Sequence, residues 1–487
     1  MVLKSLARLA ASDYLKLLPI LGLAFYVAFI PHQNYPYPLH VDEWVHMVYA
    51  KAMILEGSTS FTVPFTDAGV RDLATNLEAG FHLFWGVFQS ISGISWLSIF
   101  RFFPGVISII TVLSIYIFAK KSGFGWQAAF FASLLPTTVG ILGPAFMVPL
   151  SMALAFVPLC MYLVFNFRTG WSYLAIFIFT CFLLAVHAAT AVGLAIIVAP
   201  YILLNIKGDF KHSLAVLLAV AIPFLAPFPW IFDMLLPTAK SLLVQQPLPD
   251  YVDLPQVIQT YGYLPVAFGL LGAFMLTLRG GRKNYAVVLA LLAMLVMLVS
   301  FYSFHYGISI MYERGLMYMM LVLSIVAGAG LAEIGALRMP DRWPGVARTW
   351  AGRNLGNIIC VVLIVVTLAM TIPQRQQVPY YQMIDDSDYD AFVWIKDHVE
   401  AGYDKAVIDP WKATAFTAIT QRSIYTRIHA YPTSSDIAVY EFLDSGCTDT
   451  DFLRENDISI VYSRGECLNP DLKQVRNNIY LLEETAS

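Results

Sequence analysis

Long apolar runs alternate with short polar breaks along most of the chain, and run length is what separates its elements. A membrane-crossing helix needs about 20 mostly apolar residues. Runs of that order, several interrupted by proline, fall at 14–31, 96–119, 125–143, 147–167, 171–187, 189–206, 213–233, 263–278, 285–304, 312–334 and 355–372. The pattern predicts about eleven transmembrane helices. Two further stretches are periodic without being uniformly apolar. In 40–57, HVDEWVHMVYAKAMILEG, the residues Trp44, Val45, Val48, Tyr49, Ala52 and Leu55 recur at helical spacing, which predicts an amphipathic helix. Asp42 is placed to cap it or to sit in its first turn, where negative charge suits the helix dipole. Residues 76–93 carry Glu78, His82, two glycines and Gln89 and read as an amphipathic helix lying on the membrane surface.

Beyond Pro373 the pattern changes. DYDAFVWIKDHV at 388–399 reads as a capped amphipathic helix. Strand-like KAVIDP (405–410) and ISIVYSR (458–464) then alternate with helix-like WKATAFTAITQ (411–421) and EFLDSG (441–446). This is the signature of a small α/β domain over 373–487, following a membrane domain over 1–372 that includes a long loop at 32–95.

Composition agrees: of 487 residues, 58% are hydrophobic and 13% charged, against about 25% charged in soluble domains, and the mean hydropathy is +0.66. A net charge of -3 gives no reason to expect a nucleic-acid partner. Lys4, Arg8 and Lys16 precede or open the first apolar run, which lacks a small-residue cleavage site, so it is expected to be a first span rather than a cleaved signal. With the N-terminus cytoplasmic, basic residues gather in every second loop: Lys120 and Lys121; Arg168; Lys207 and Lys211; Arg279, Arg282 and Lys283; then Arg338, Arg342, Arg348 and Arg353. That is the positive-inside pattern, and it holds only if 76–93 does not span. It places 32–95, 234–262 and everything after Pro373 outside, in a multi-pass protein expected in a plasma membrane. Cys160, Cys181 and Cys360 lie in apolar runs, whereas Cys447 and Cys467 lie in the external tail, where an oxidising compartment would let them pair.

Ionisable residues near spans ask for a reason. Asp42 and Glu43, Arg101, His187, His305, and the Glu313–Arg314 pair all fall toward the outer face of this topology. Arginine holds phosphate oxygens bidentately, and a carboxylate can take a proton from an attacking hydroxyl. The set therefore suits a lipid-linked phosphate substrate. Each member also has an ordinary reading: Arg101 as a snorkelling cation, Glu313 and Arg314 as an interfacial ion pair, His187 as a packed polar residue. P-loop, H-E-x-x-H, C-x-x-C and nucleophile-elbow motifs are absent. A transporter or lipid flippase is the alternative class, although such proteins place charges near the bilayer midplane. An assembly protein whose external domain binds a partner is a third.

The chain resembles the GT-C class of integral-membrane glycosyltransferases. The resemblance rests on HVDEW at 40–44 after the first span, the surface helix 76–93, Trp96 to Arg101 in W-x-x-x-x-R, HAAT at 187–190 and the Glu-Arg before a late span. Two branches compete, one like protein mannosyltransferases and lipid-A aminoarabinose transferases, the other like oligosaccharyltransferase catalytic subunits. The Trp-Trp-Asp motif of the second is missing; Asp409, Pro410 and Trp411 stand near its place, and the second external loop (GPAFMV, 143–148) has no acidic pair. The resemblance implies inverting transfer of a sugar from a polyprenyl-phosphate donor to a lipid, glycan or protein acceptor at the outer face, in contact with membrane lipids. It implies Asp42, with Glu43, as catalytic carboxylates. It implies Arg314 and His187, with Arg101, Glu78, Glu313 and His305, as substrate-binding residues. No cofactor is certain, and the class leaves open a divalent cation, magnesium or manganese.

Overall fold

The structure, a computed structural model, describes residues 13–65, 70–71, 76–138, 140–225, 254–305, 309–339, 350–429 and 433–483. It divides into two compact units: Met1–Asn34 with Arg101–Tyr380, and Tyr35–Phe100 with Tyr381–Ser487.

The first unit is helical. Among the described residues, seven helical stretches are long and apolar enough to cross a membrane: Asp13–His32, Trp96–Lys120, Pro149–Asn166, Gly170–Asn205, Arg282–Phe304, Arg314–Gly335 and Leu355–Gln376; Phe210–Leu225 and Tyr263–Arg279 are shorter apolar helices. Gly170–Asn205 covers two of the expected spans. It breaks at His187, whose φ of -161° and ψ of 92° are not helical, so residues 170–186 and 188–205 form two arms. Each arm is about 26 Å long at 1.5 Å per residue. Residues 226–253, which take in the end of the expected span 213–233 and most of the loop 234–262 expected outside, lie beyond the described residues.

The expected span at 125–143 is not a continuous helix. Helix Gly125–Ala132 has 8 residues, and the chain then turns through Pro136, Gly143 and Pro144. A Cβ at Gly143 would run into the Pro136 carbonyl, so this bend tolerates only glycine there. Hydropathy saw an unbroken apolar run, but the residues are apolar because the loop is buried. Irregular backbone survives among apolar helices only where protein satisfies its polar groups. Here the carbonyls of Phe131, Leu134 and Thr137 accept hydrogen bonds from the Tyr261 hydroxyl at 3.3 Å, Arg375 Nη2 at 3.1 Å and the Tyr380 hydroxyl at 3.1 Å. Helix Tyr263–Arg279 lies tightly on Ser309–Gly335: at Gly272 a Cβ would meet the Val326 carbonyl. Such small-residue contacts let apolar helices approach closely.

The second unit holds the α/β fold. A five-stranded sheet runs in the order Ser423–Ile424, Lys405–Ile408, Ile460–Tyr462, Ile479–Leu482, Leu472–Arg476. Lys405–Ile408 pairs in parallel with the strands on both sides, and the last two pairings are antiparallel. Helices Asp386–His398, Pro410–Thr420, Ser434–Asp444 and Thr450–Glu455 complete it. Val407, Val439, Phe442, Leu453 and Val461 form an apolar core, closed by a Cys447–Cys467 disulfide. The helix Asp386–His398 contributes Asp388, a buried carboxylate that accepts from Lys412 Nζ at 2.9 Å, the Tyr462 hydroxyl at 2.7 Å and Arg464 Nη2 at 2.8 Å.

Residues 35–100 belong to this unit. The Tyr35 hydroxyl donates to the Ile384 carbonyl at 2.8 Å and the Tyr37 hydroxyl to Asp386 at 2.8 Å, each across 349 residues of sequence. Helix Val41–Glu56 packs on Ala79–Ser92 and on Pro410–Thr420. Lys51 Nζ donates to the Ala418 carbonyl at 2.6 Å; burial, with Lys396 adding repulsion, brings its pKa down to about 8.

Candidate functional site

Helix Val41–Glu56 begins with a capping box in which histidine takes the place usual for serine or threonine. His40 is the N-cap. Its Nδ1 accepts the Asp42 N–H at 3.1 Å, while Glu43 Oε2 accepts the N–H groups of Leu39 at 2.7 Å and His40 at 3.1 Å. The cap is thus His40 with Glu43, and Asp42 sits in the first turn. The neighbouring carboxylates differ sharply in environment: Glu43 is fully buried, and the Asp42 side chain is 40% exposed, with Oδ2 3.6 Å from His40 Nδ1.

The tail borders the same turn. The Tyr381 ring lies 5.7 Å from His40 and 4.9 Å from Trp411, centroid to centroid. Burial, reinforced by the Asp42 charge, pushes the Tyr381 phenol up. Asp409 Oδ1 accepts the Trp411 N–H at 3.1 Å, so the segment Asp409, Pro410, Trp411 caps its helix and carries the indole to Tyr381.

One turn after Asp42 comes His46. Its Nδ1 is 2.9 Å from His82 Nε2 and 3.9 Å from Glu78 Oε2. Glu78 is the N-cap residue of helix Ala79–Ser92, and His82, with no solvent exposure, lies within that helix. The Asn76 side-chain amide reaches His82 Nδ1 at 3.2 Å. The helix turns Phe81, His82 and Trp85 inward and leaves Leu83, Val87 and Ile91 exposed. Those three form a stripe at i, i+4, i+8.

In the first unit, His187 lies at the break between its two helical arms. Its Nδ1 is 2.7 Å from Thr190 Oγ1, which is 2.9 Å from the hydroxyl of Tyr318, 128 residues further on. All three side chains are buried. Arg314 stands one turn before Tyr318 on helix Ser309–Gly335, which brings it to the same neighbourhood. Arg101 donates from Nη2 to the His32 carbonyl at 3.3 Å and lies over the rings of Phe29 and Phe102. His305 is the C-cap of Arg282–Phe304, with φ of 63°. The side chain of Glu313 lies outside the described residues.

The sequence-predicted residues therefore fall into two sets: Asp42, Glu43 and Glu78 in the second unit, and Arg101, His187, His305 and Arg314 in the first. Sequence reasoning passed over His46, whose partner His82 is 36 residues away, and Arg375, which sits in a polar stretch yet is buried. For His46 the available signal was two histidines and a glutamate on two amphipathic helices.

No protein-family model matches the sequence, and a comparison with curated proteins returns no match. Solved structures do match. The apo oligosaccharyltransferase of Archaeoglobus fulgidus aligns with a TM-score of 0.63 at 12% identity, over 92% of this chain and 69% of that one. The arabinofuranosyltransferase AftD from Mycobacteria aligns at 0.59 and 16% identity, over 96% of this chain and 37% of the much longer enzyme. ArnT from Cupriavidus metallidurans aligns at 0.57 and 13% identity, over 97% of this chain and 98% of that one. Other structures of the archaeal enzyme hold an inhibitory peptide with dolichol-phosphate, or zinc and sulfate. All three neighbours are GT-C glycosyltransferases, and this chain is a membrane protein with their fold.

Proposed function

We propose that the protein is a membrane glycosyltransferase that moves a sugar from a polyprenyl-phosphate donor to an acceptor at the outer membrane face. The observation that carries this reading is the division of labour between two adjacent carboxylates. Glu43 is consumed by backbone N–H groups, and by doing so it fixes the turn that presents Asp42 to solvent. A general base must be positioned and accessible, and the first-turn place of Asp42 and its partly exposed side chain support that role.

In this reading Asp42 takes the proton of the acceptor hydroxyl as that oxygen attacks the anomeric carbon. The polyprenyl phosphate leaves with the electron pair of the broken C–O bond, and the configuration inverts. His187 and Arg314 hold the donor phosphate, with Arg101, Glu313 and His305 as further donor-side residues and Glu78 beside Asp42's helix. That the archaeal neighbour was solved with dolichol-phosphate supports a lipid-linked donor; its zinc and sulfate complex supports asking for a divalent cation here, magnesium and manganese being those the resemblance leaves open. A large open groove in the first unit, lined by Pro19, Leu23, Trp126, Phe130, Val361 and Ile364, suits a prenyl chain. Charge alternation and the tail disulfide support a plasma-membrane protein with a cytoplasmic N-terminus and an extracytoplasmic tail.

The test uses purified full-length protein in lipid with a panel of radiolabelled polyprenyl-phosphate sugars. We expect wild-type turnover on one of them, a loss of about 100-fold or more in Asp42→Asn, and a weaker donor interaction in Arg314→Ala. Equal turnover of wild type and Asp42→Asn removes the proposed base. Donor binding without turnover moves the protein to the carrier class.

A further inference from the structure

We propose that His46, Glu78 and His82 form a binding site for a zinc-type divalent cation that ties helix Val41–Glu56 to helix Ala79–Ser92. Their ligand atoms, one from each side chain, lie within 4.8 Å of one another. In a tetrahedral site with bonds of about 2.0–2.2 Å, ligand atoms are separated by about 3.3–3.6 Å. Two of the observed pairs, at 2.9 Å and 3.9 Å, bracket that spacing and the third lies within 4.8 Å, so one ion reaches all three after side-chain shifts of about an ångström.

The donor set selects the ion. Two imidazoles and a carboxylate are the ligands that zinc and its neighbours in the transition series prefer. Magnesium and calcium prefer all-oxygen shells. Glu78 and His82 are four residues apart at the start of one helix, so they project to one side, and His46 approaches from the other helix. Three protein ligands among the described residues leave a fourth position for water or a substrate oxygen. An outer partner completes the arrangement. A metal-bound histidine donates its other ring N–H to a fixed acceptor. Asn76 stands at that place: its Nδ2 lies 3.2 Å from His82 Nδ1 and its Oδ1 accepts the Glu78 N–H at 3.3 Å, and metal loading requires the amide to turn so that its oxygen takes the Nδ1 proton and the Nε2 lone pair is left for the ion.

This site uses neither the Asp42 carboxylate nor the second external loop, and it stands whether or not the protein transfers sugar. The competing state is a direct hydrogen bond between the two imidazoles with no ion between them. The two states predict opposite behaviour. With an ion, the helices on either side of 57–78 are cross-linked and the folded state is favoured by metal. Without one, metal is indifferent.

The experiment uses full-length protein in detergent, stripped with a chelator and re-equilibrated with Zn²⁺ alone or Mg²⁺ alone. We expect about one zinc per chain by elemental analysis, a higher melting temperature with zinc than without, and visible absorption of a tetrahedral type when Co²⁺ replaces zinc. Zinc should bind at least ~100-fold more tightly than magnesium. Glu78→Gln and His46→Gln should lose the zinc and the cobalt spectrum while melting, metal-free, close to the metal-free wild type. Because His82 is fully buried, the partly exposed Glu78 gives the decisive variant. No zinc in the wild type, the same zinc content in Glu78→Gln, or no melting shift with zinc overturns the proposal. Loss of glycosyl transfer in Asp42→Asn with full zinc content separates the two sites.

Discussion

Two polar clusters in the second unit each contain a carboxylate and differ in what their atoms offer one another. Around Asp388, one buried carboxylate meets Lys412, Arg464 and Tyr462, so lone pairs face protons. Around His46, the atoms facing one another are ring nitrogens and a carboxylate oxygen. A buried charge surrounded by hydrogen-bonded counter-charges holds a fold together; breaking such a set is costly although its net gain over an apolar core is small. Ring nitrogens and a carboxylate oxygen gathered at one point are also the ligands that a transition-metal cation takes.

The largest expected effect breaks the first cluster. Asp388→Ala leaves Lys412, whose side chain is largely buried, without its counter-charge, and removes an acceptor from Arg464 and Tyr462. We expect a loss of about 3–5 kcal/mol, read from denaturant unfolding of the full-length protein by tryptophan fluorescence. A loss under about 1 kcal/mol would mean that solvent already shares this cluster.

A smaller effect separates the adjacent carboxylates at the helix start. Glu43→Ala orphans the N–H groups of Leu39 and His40 in a buried turn and should cost about 1–3 kcal/mol. Asp42→Asn, at a half-buried position, should leave the melting temperature within a degree or so of wild type while cutting transfer about 100-fold or more. Thermal melts of the two variants side by side decide it: equal destabilisation would place Asp42 in the cap as well.

How much of this was legible before the structure depended on whether the signal was local. Helices such as Trp96–Lys120 and Leu355–Gln376 were set by run length alone. The strand Lys405–Ile408 falls within the strand-like KAVIDP, and the helix Pro410–Thr420 over the helix-like WKATAFTAITQ. The 125–143 stretch misled because hydropathy cannot tell a lipid-facing helix from a loop that Tyr261, Arg375 and Tyr380 keep satisfied from afar. His187 stood out as a polar group in an apolar run, but its Tyr318 partner lies on a distant helix. His46 stayed invisible although it sits in the most closely read stretch. On its own helix it is one more polar position, and it gains meaning only when Glu78 and His82 arrive from the next.

The smallest effect is the response of the tail to acid. Asp385 and Asp436 are partly desolvated, which by itself raises a carboxyl pKa. In both, hydrogen bonds outweigh that: the Asp388 N–H and Arg464 act on Asp385, and the Thr433 N–H with the Thr426 hydroxyl and His429 act on Asp436. Both carboxyls are therefore held below the usual aspartate range. The folded state then binds fewer protons than the unfolded chain wherever the unfolded carboxyl, near pH 4, begins to titrate. The stabilisation is complete above about pH 4 and is lost as pH falls through the lower folded values. For these two groups the unfolding midpoint should be flat from about pH 7 to 5 and should fall below about pH 4. Asp436→Asn should lower the plateau and flatten the acid limb, because the asparagine no longer carries a proton equilibrium into folding. An unchanged acid limb in that variant would assign the pH response to other carboxylates and detach Asp436 from the tail's electrostatic framework.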